Sequence, residues 1–337
     1  VNEITSYKSF LKIWFAHSSN FDRWLLCSCY KLMNQTDGYL TACLSKLKNY
    51  TNADLFTEIA MHITSVKTEM EERRFCLNEA AKHHVQLSES IEVIIGNRLE
   101  NIAKQSGAHE AIKYFSGITI KEKELAIVWL GKKCISVNEV KDFFPELFDY
   151  MQVQPMLTPN CMWLSSYIDE YKKAKVGNIY TDEIKTAISE HNADCVAFDT
   201  WYQSLKTTRF LLAGRNDIDV YYWIDGLGVE WIPFIQAILA KHQQDNIYLN
   251  EVMVARALLP TTTEINKVEL QHLSDVDIQT MKVGDLDSMA HQSSNRYPNT
   301  IISEMSIVED AVESIINKYA GKKIAIVSDH GLTYLSQ

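Results

Sequence analysis

Along the first 150 residues, apolar positions recur at three- and four-residue spacing. Phe10, Leu11, Trp14 and Phe15 form one such set, and Trp24, Leu25, Tyr30 and Leu32 another. That period predicts helix after helix. Ser19-Asn20 and Asn52-Ala53-Asp54 precede apolar-periodic segments and read as N-cap sites, where a short polar side chain accepts a first-turn N–H. Thr57 to Asn101 holds no proline and one glycine, Gly96, and is expected to form one or two long helices. The segment Gln154 to Asn160 carries Pro155 and Pro159, and prolines so close break helix and strand alike. We therefore place a helical domain at residues 1–153 and a helical linker region at 154–214, its main stretch running from about Trp163 to Leu212.

Beyond residue 215 the pattern changes. Asp219 to Ile224 is a β-branched and aromatic run of strand length, ending at Asp225-Gly226. A helical pattern follows from about Glu230 to His242. Glu251 to Leu258 is a second strand candidate, stopped by Pro260. Ser306 to Tyr319 reads as a helix with Gly321 past its end, and Lys323 to Val327 as a third strand. Short apolar strands alternating with helices predict an α/β domain over 215–337 with a mostly parallel sheet. In such sheets ligands bind at the carboxyl ends of strands, where Asp225 and Asp329-His330 stand.

Composition narrows the class. Hydrophobic residues make up 46% and charged residues 23%, so the chain reads as an ordinary folded protein rather than a disordered one. No apolar run is long enough to span a bilayer, and Val1 to Ile4 opens no secretory signal. A start at Val points to trimming. Seven scattered cysteines, with Cys27 and Cys29 too close for a zinc knuckle, read as reduced and mostly buried thiols of a cytoplasmic protein. A net charge of −10 argues against gripping nucleic acid by bulk positive charge, yet leaves room for a nucleic-acid substrate held by metal ions and a local groove.

Taken singly, the polar pieces are weak. Asp225 reads equally well as a turn residue, and Pro260-Thr261-Thr262-Thr263 as a helix start. Asp287 and His291, four apart, share a helix face that suits one metal ion but is commonly just solvated. Ser328-Asp329-His330-Gly331 after an apolar strand is more specific. His83-His84 reads as helix surface, since adjacent helical residues point about 100° apart. Glu69, Glu71, Glu72, Arg73 and Arg74 read as a solvated helix face with local ion pairs, and Trp14-Phe15 and Phe143-Phe144 as core.

The order of the pieces carries more weight. Strand-Asp-Gly, Pro-x-x-Thr, Asp-x-x-x-His and strand-Ser-Asp-His-Gly follow one another in a way that resembles the alkaline phosphatase superfamily, most closely its phosphodiesterase-like branch. No cysteine sits in the Cys-x-Pro-x-Arg pattern of its sulfatases. The wording from Trp223 to Trp231, with Leu258 to Thr263, resembles the PglZ proteins of bacterial BREX phage-defence systems, over about residues 215–337.

That resemblance implies a metal-dependent phosphodiesterase or nuclease. It implies Thr263 as nucleophile, with Thr261 and Thr262 competing, and Asn266 three positions on as donor to a phosphoryl oxygen. Asp225, Asp329 and His330, with Thr263, would hold one ion, and Asp287 and His291 a second. An Asp and His set suits Zn²⁺ or Mn²⁺. The family supplies one more histidine to the second ion and further strands to the sheet, so either the chain is a fragment or its second site is incomplete, and the interval from Thr263 to Asp287 is short for a phosphodiesterase. The helical N-terminal region is expected to dock other phage-defence (BREX) proteins, which makes a non-catalytic assembly platform the competing reading. A small-molecule phosphatase stays open, since it would share the metal core.

Overall fold

A computed structural model describes residues 4, 6–34, 38–156, 161–271, 282–292, 296–318 and 321–331. The chain is mostly helical, with a small three-stranded parallel sheet. It forms two compact units. One holds the residues up to Trp129 with Lys133–Ser136 and Asp142–Phe144; the other holds Leu130–Lys132, Val137–Lys141 and the chain from Pro145 onward. Tyr150, three residues before the expected boundary at 153, packs against Trp231 inside the second unit, with ring centroids 4.7 Å apart and the rings tilted by 48°. The expected boundary segment lies partly outside the described residues, at 157–160.

The first unit is helical. Its elements are α1 (Tyr7–Ala16), α2 (Asn20–Met33), α3 (Tyr39–Leu44), α4 (Asn52–Met61), α5 (Lys67–Lys82), α6 (Glu89–Ser106), α7 (Ala108–Ala111) and most of α8 (Ile120–Gly131). Ser19 caps α2 by accepting from the N–H groups of Phe21 and Asp22. The cap of α4 is Thr51, one residue before the expected group, accepting from Asp54 N. The stretch expected to form one or two long helices holds parts of three, α4, α5 and α6. His83 ends α5, and His84 adopts a left-handed φ of 55°, so the pair lies at a helix end rather than along a face.

Arg73 corrects the expectation of a solvated acidic and basic face. Its side chain is fully buried, with Nη1 3.0 Å from Glu122 Oε1 and Nη2 donating to Ala60 O at 2.9 Å. The other Glu122 oxygen accepts from the N–H groups of Ser116 and Gly117, both at 2.9 Å, and from the Ser116 hydroxyl. Such bonds offset the desolvation of a buried ion pair, although Arg73 Nε itself finds no acceptor. Trp14, Phe143 and Phe144 are core, as expected, and four of the seven cysteines are buried, all seven being free thiols.

The second unit adds α9 (Val137–Val140), α10 (Pro145–Tyr150), α11 (Met162–Gly177), α12 (Asp182–Ala193), α13 (Cys195–Ser204) and α14 (Thr208–Leu212). Then come β1 (Val220–Asp225), α15 (Ile232–Lys241), α16 (Thr263–Gln271), β2 (Lys282–Asp285), α17 (Leu286–Ala290), α18 (Asn299–Lys318) and β3 (Ile324–Val327). The strand order is β2-β1-β3, all parallel. β1 is central and buried along its whole length. Tyr221 and Trp223 pack with Leu212, Leu270 and Val327 on one face, and Val220 and Tyr222 with Ile315 on the other. This explains why β1 is apolar or aromatic from Val220 to Ile224 rather than alternating.

The second strand is not Glu251–Leu258. That segment forms a single bridge, Arg256 to Thr207, and β1 pairs instead with Lys282–Asp285. Gly284 allows the substitution, since a Cβ there would come within 3.1 Å of Ile224 and 3.2 Å of Ala311 on α18. Among the described residues no helix is long and apolar enough to cross a membrane.

Candidate metal centre

Parallel strands bring the residues after their carboxyl ends to one edge of the sheet. Asp225 closes β1, and Asp329 and His330 follow β3, its paired neighbour. All three are buried, and one ligand atom from each lies within 4.8 Å of the others. Two glycines make the approach possible. Gly226 turns the chain out of β1 at a φ of 74°, a conformation that side chains disfavour. A Cβ on Gly331 would stand 3.0 Å from Gly228 Cα, so the loops after β1 and β3 touch backbone to backbone.

Asp329 is held by one of its oxygens. Its Oδ1 accepts from Trp223 Nε1 at 3.0 Å and from Gly226 N at 3.3 Å. Its Oδ2 is buried and receives no hydrogen bond, the nearest basic nitrogen being His330 Nε2 at 3.5 Å. A buried carboxylate oxygen without a donor calls for a cation. His330 Nδ1 lies 3.3 Å from its neighbour's carbonyl, Gly331 O. The tautomer that donates there leaves the Nε2 lone pair facing Asp225 and Asp329. Burial, with the charge of Asp329 close by, holds the Asp225 carboxyl above its ordinary value, against the bonds from Lys282 and Thr263 that pull it down. Two carboxylates and an imidazole so placed could hold a metal ion.

Thr263 opens α16 and completes the group. Its Oγ1 donates to Asp225 Oδ1 at 3.1 Å and lies 3.0 Å from His330 Nε2. Of the three competing threonines, it is the one that reaches these side chains, while Thr261 and Thr262 are exposed. Asn266 does not point its amide at this group. It is buried, its Oδ1 accepts from Leu258 N at 2.6 Å, and its Nδ2 donates to Leu258 O at 3.1 Å and Thr262 O at 3.0 Å. With its donors and acceptor taken up by backbone, Asn266 clasps the loop that delivers Thr263, a correction to the expected phosphoryl donor.

Asp287 and His291 stand apart. His291 Nε2 lies 3.5 Å from Asp287 Oδ1 across the turn that ends α17, and the His291 side chain is 79% exposed. Among the described residues no third ligand joins them. Lys282, which the sequence reading passed over, stands at the centre instead. Its Nζ donates to Asp225 Oδ2 at 2.6 Å and to Asp285 Oδ2 at 2.7 Å. Burial pulls its pKa down, but the two carboxylates outweigh that and hold the ammonium above its ordinary value. The signal in the sequence was slight: a four-residue strand, interrupted by glycine, that starts in a lysine and ends in an aspartate.

No known protein family, curated protein or solved structure matches the chain.

Proposed function

We propose that this protein is a metal-dependent phosphoesterase, with a phosphodiester such as a nucleic-acid strand as substrate and phage defence as its setting. The observation that carries the reading is the Thr263 hydroxyl, within hydrogen-bond distance of both Asp225 and His330 although each comes from a separate segment of chain. The order of these motifs, similar to that of PglZ proteins and of alkaline-phosphatase-like phosphodiesterases, supports the substrate class and the α/β core type.

Asp225, Asp329 and His330 would hold a divalent ion, Zn²⁺ or Mn²⁺, and Thr263 would lie beside it. Such an ion lowers the pKa of an adjacent alcohol and offsets charge on phosphoryl oxygens. Thr263 Oγ1, giving its proton to solvent, would form the bond to phosphorus as the ester P–O bond breaks and the leaving oxygen takes a proton from water; water would then cleave the phosphothreonine and restore the hydroxyl. Asp225 Oδ1 orients the hydroxyl. Asn266 keeps the loop of Thr263 in register.

The test is metal content by elemental analysis together with cleavage of bis-p-nitrophenyl phosphate. Wild type is expected to retain metal and cleave the diester, and Asp329→Asn to lose both. Equal metal content in wild type and Asp329→Asn would remove the ion from this site.

A second reading has its own observation. The face of α2 opposite the buried Arg23, Leu26, Cys27 and Tyr30 carries Phe21, Trp24, Leu25 and Leu32 exposed, two of them by more than 60%. An apolar stripe of this kind marks an interaction surface. It supports the proposal that the helical unit docks another BREX component. Phe21→Glu with Leu32→Glu is expected to abolish co-elution with that component in size-exclusion chromatography while leaving diester cleavage unchanged; undiminished co-elution would dismiss the stripe.

A further inference from the structure

Asp225 presents its two carboxylate oxygens to two different partners. Oδ1 faces Thr263 and His330, at 3.1 and 3.7 Å, on the side of the ligand group. Oδ2 is 2.6 Å from the ammonium of Lys282. With an ion held by Asp225, Asp329 and His330, a carboxylate divided in this way would serve two cations at once. Here the cation on the second oxygen belongs to the chain.

Lys282 is built into that position. Asp285, at the far end of the same short strand, supplies a second carboxylate at 2.7 Å. The Trp223 ring lies under the ammonium, 5.0 Å from its centroid, while the indole N–H of the same residue holds Asp329. The ladder between β1 and β2 is irregular at this point. Trp223 pairs with Lys282 and Ile224 with Gly284, so Val283 is an extra residue. A bulge re-aims the side chain beside it, and this one sits next to the candidate centre.

Charge points the same way. Asp225, Asp285 and Asp329 bring three negative charges and Lys282 one positive, so one divalent ion balances the group. A second divalent ion there would leave excess positive charge beside the buried Asp225 and Asp329, which is unfavourable. Asp287 and His291, expected to hold that second ion, are turned to each other at the surface.

We propose that the Lys282 ammonium takes the place of a second metal ion, so that the centre works with one divalent ion and one fixed ammonium. In phosphoryl transfer the ammonium would offset charge on a non-bridging or leaving oxygen, as a positioned cation does without reorganising. This inference rests on the metal-centre reading above only in requiring an ion at Asp225, Asp329 and His330.

The experiment is metal stoichiometry. The full chain is loaded with Mn²⁺ or Zn²⁺, dialysed and assayed by elemental analysis, with thermal melts to confirm folding. Wild type and Lys282→Arg are expected to hold about one ion per chain, and Lys282→Asp, which exchanges the cation for a carboxylate, about two. Two ions on wild type overturn the proposal and leave the metal centre standing; no ion overturns both. A folded Lys282→Asp that stays at one ion also overturns it. If Lys282→Asp does not fold, titration calorimetry of Lys282→Met decides: removing the neighbouring positive charge is expected to tighten the ion's dissociation constant about tenfold, and an unchanged constant overturns the proposal.

Discussion

The hydroxyl of Thr263 lies 3.0 Å from Nε2 of His330, across 67 residues of chain. A helix-opening threonine ordinarily spends its hydroxyl on its own first turn. This one is directed at the aspartate that closes β1 and the histidine that follows β3. Replacing it separates its role from metal holding, because Asp225, Asp329 and His330 remain. Thr263→Ala is expected to lower diester turnover on the order of 10³-fold or more while metal content stays near wild type. Thr263→Ser, which keeps the hydroxyl, is expected to retain part of the activity. Steady-state rates beside elemental analysis check this; an active, metal-loaded Thr263→Ala would hand the nucleophile to another group.

Asn266 acts on that hydroxyl from behind. Its amide joins Leu258 and Thr262, the two ends of the loop leading into α16. Asn266→Ala strands buried backbone groups and is expected to cost about 1–3 kcal/mol of stability. The loop would then present Thr263 poorly, so kcat should fall more than KM rises. Asn266→Asp keeps the acceptor for Leu258 N but sets a carboxylate against two carbonyls, and is expected to be the worse variant. Melts alone would not identify positioning; a destabilised Asn266→Ala with wild-type kcat would show a purely structural clasp.

The ligand group was legible because its signals are local. Asp225 and Asp329-His330 each follow a short apolar run, and parallel strands gather such residues whatever lies between them. Lys282 was not legible, since its meaning depends on a pairing with Trp223 that no local pattern announces. The run at Glu251–Leu258 looked more like a strand than Lys282–Asp285 does, yet the latter, with Gly284, fits between β1 and α18. The burial of Arg73 is hidden in the sequence for the same reason. Charged neighbours suggest a wet face, and the partner that buries it, Glu122, lies 49 residues away. Asn266 was found by its place in a motif, which gave the position but not the direction of its amide.

The Arg73–Glu122 pair yields a prediction confined to the helical unit. Both side chains are fully buried, and Glu122 also gathers the N–H groups of Ser116 and Gly117. Removing one partner leaves the other charge buried and uncompensated. Glu122→Ala is therefore expected to cost about 3–5 kcal/mol, enough to unfold the unit at moderate denaturant. Replacing both, with Arg73→Met and Glu122→Leu, is expected to recover much of that loss. Denaturant titrations of the single and double variants measure the coupling; a double variant no better than the single one would locate the loss in the backbone bonds of Glu122 instead.

Glu230 contributes a pH dependence of its own to the second unit. It is buried beneath the loop that follows β1, near Lys175 and Glu304, which form an ion pair at 2.5 Å. Burial pushes its carboxyl up to about 7, although Lys175 draws it the other way. The unfolded chain returns it to the ordinary value of 4.5. Between these values the folded form holds a proton that the unfolded form has released, so stability falls as pH rises. The contribution is full below the unfolded value and lost once pH passes the folded one. At about 1.4 kcal/mol per pH unit, the loss between pH 5 and pH 8 amounts to about 2–3 kcal/mol. Glu230→Gln mimics the protonated acid and lacks this slope. The stability of wild type relative to Glu230→Gln is therefore expected to drop by that amount over the interval, read from urea unfolding at each pH. A difference independent of pH would mean that Glu230 carries the same charge in both states throughout, with Lys175 rather than burial governing it.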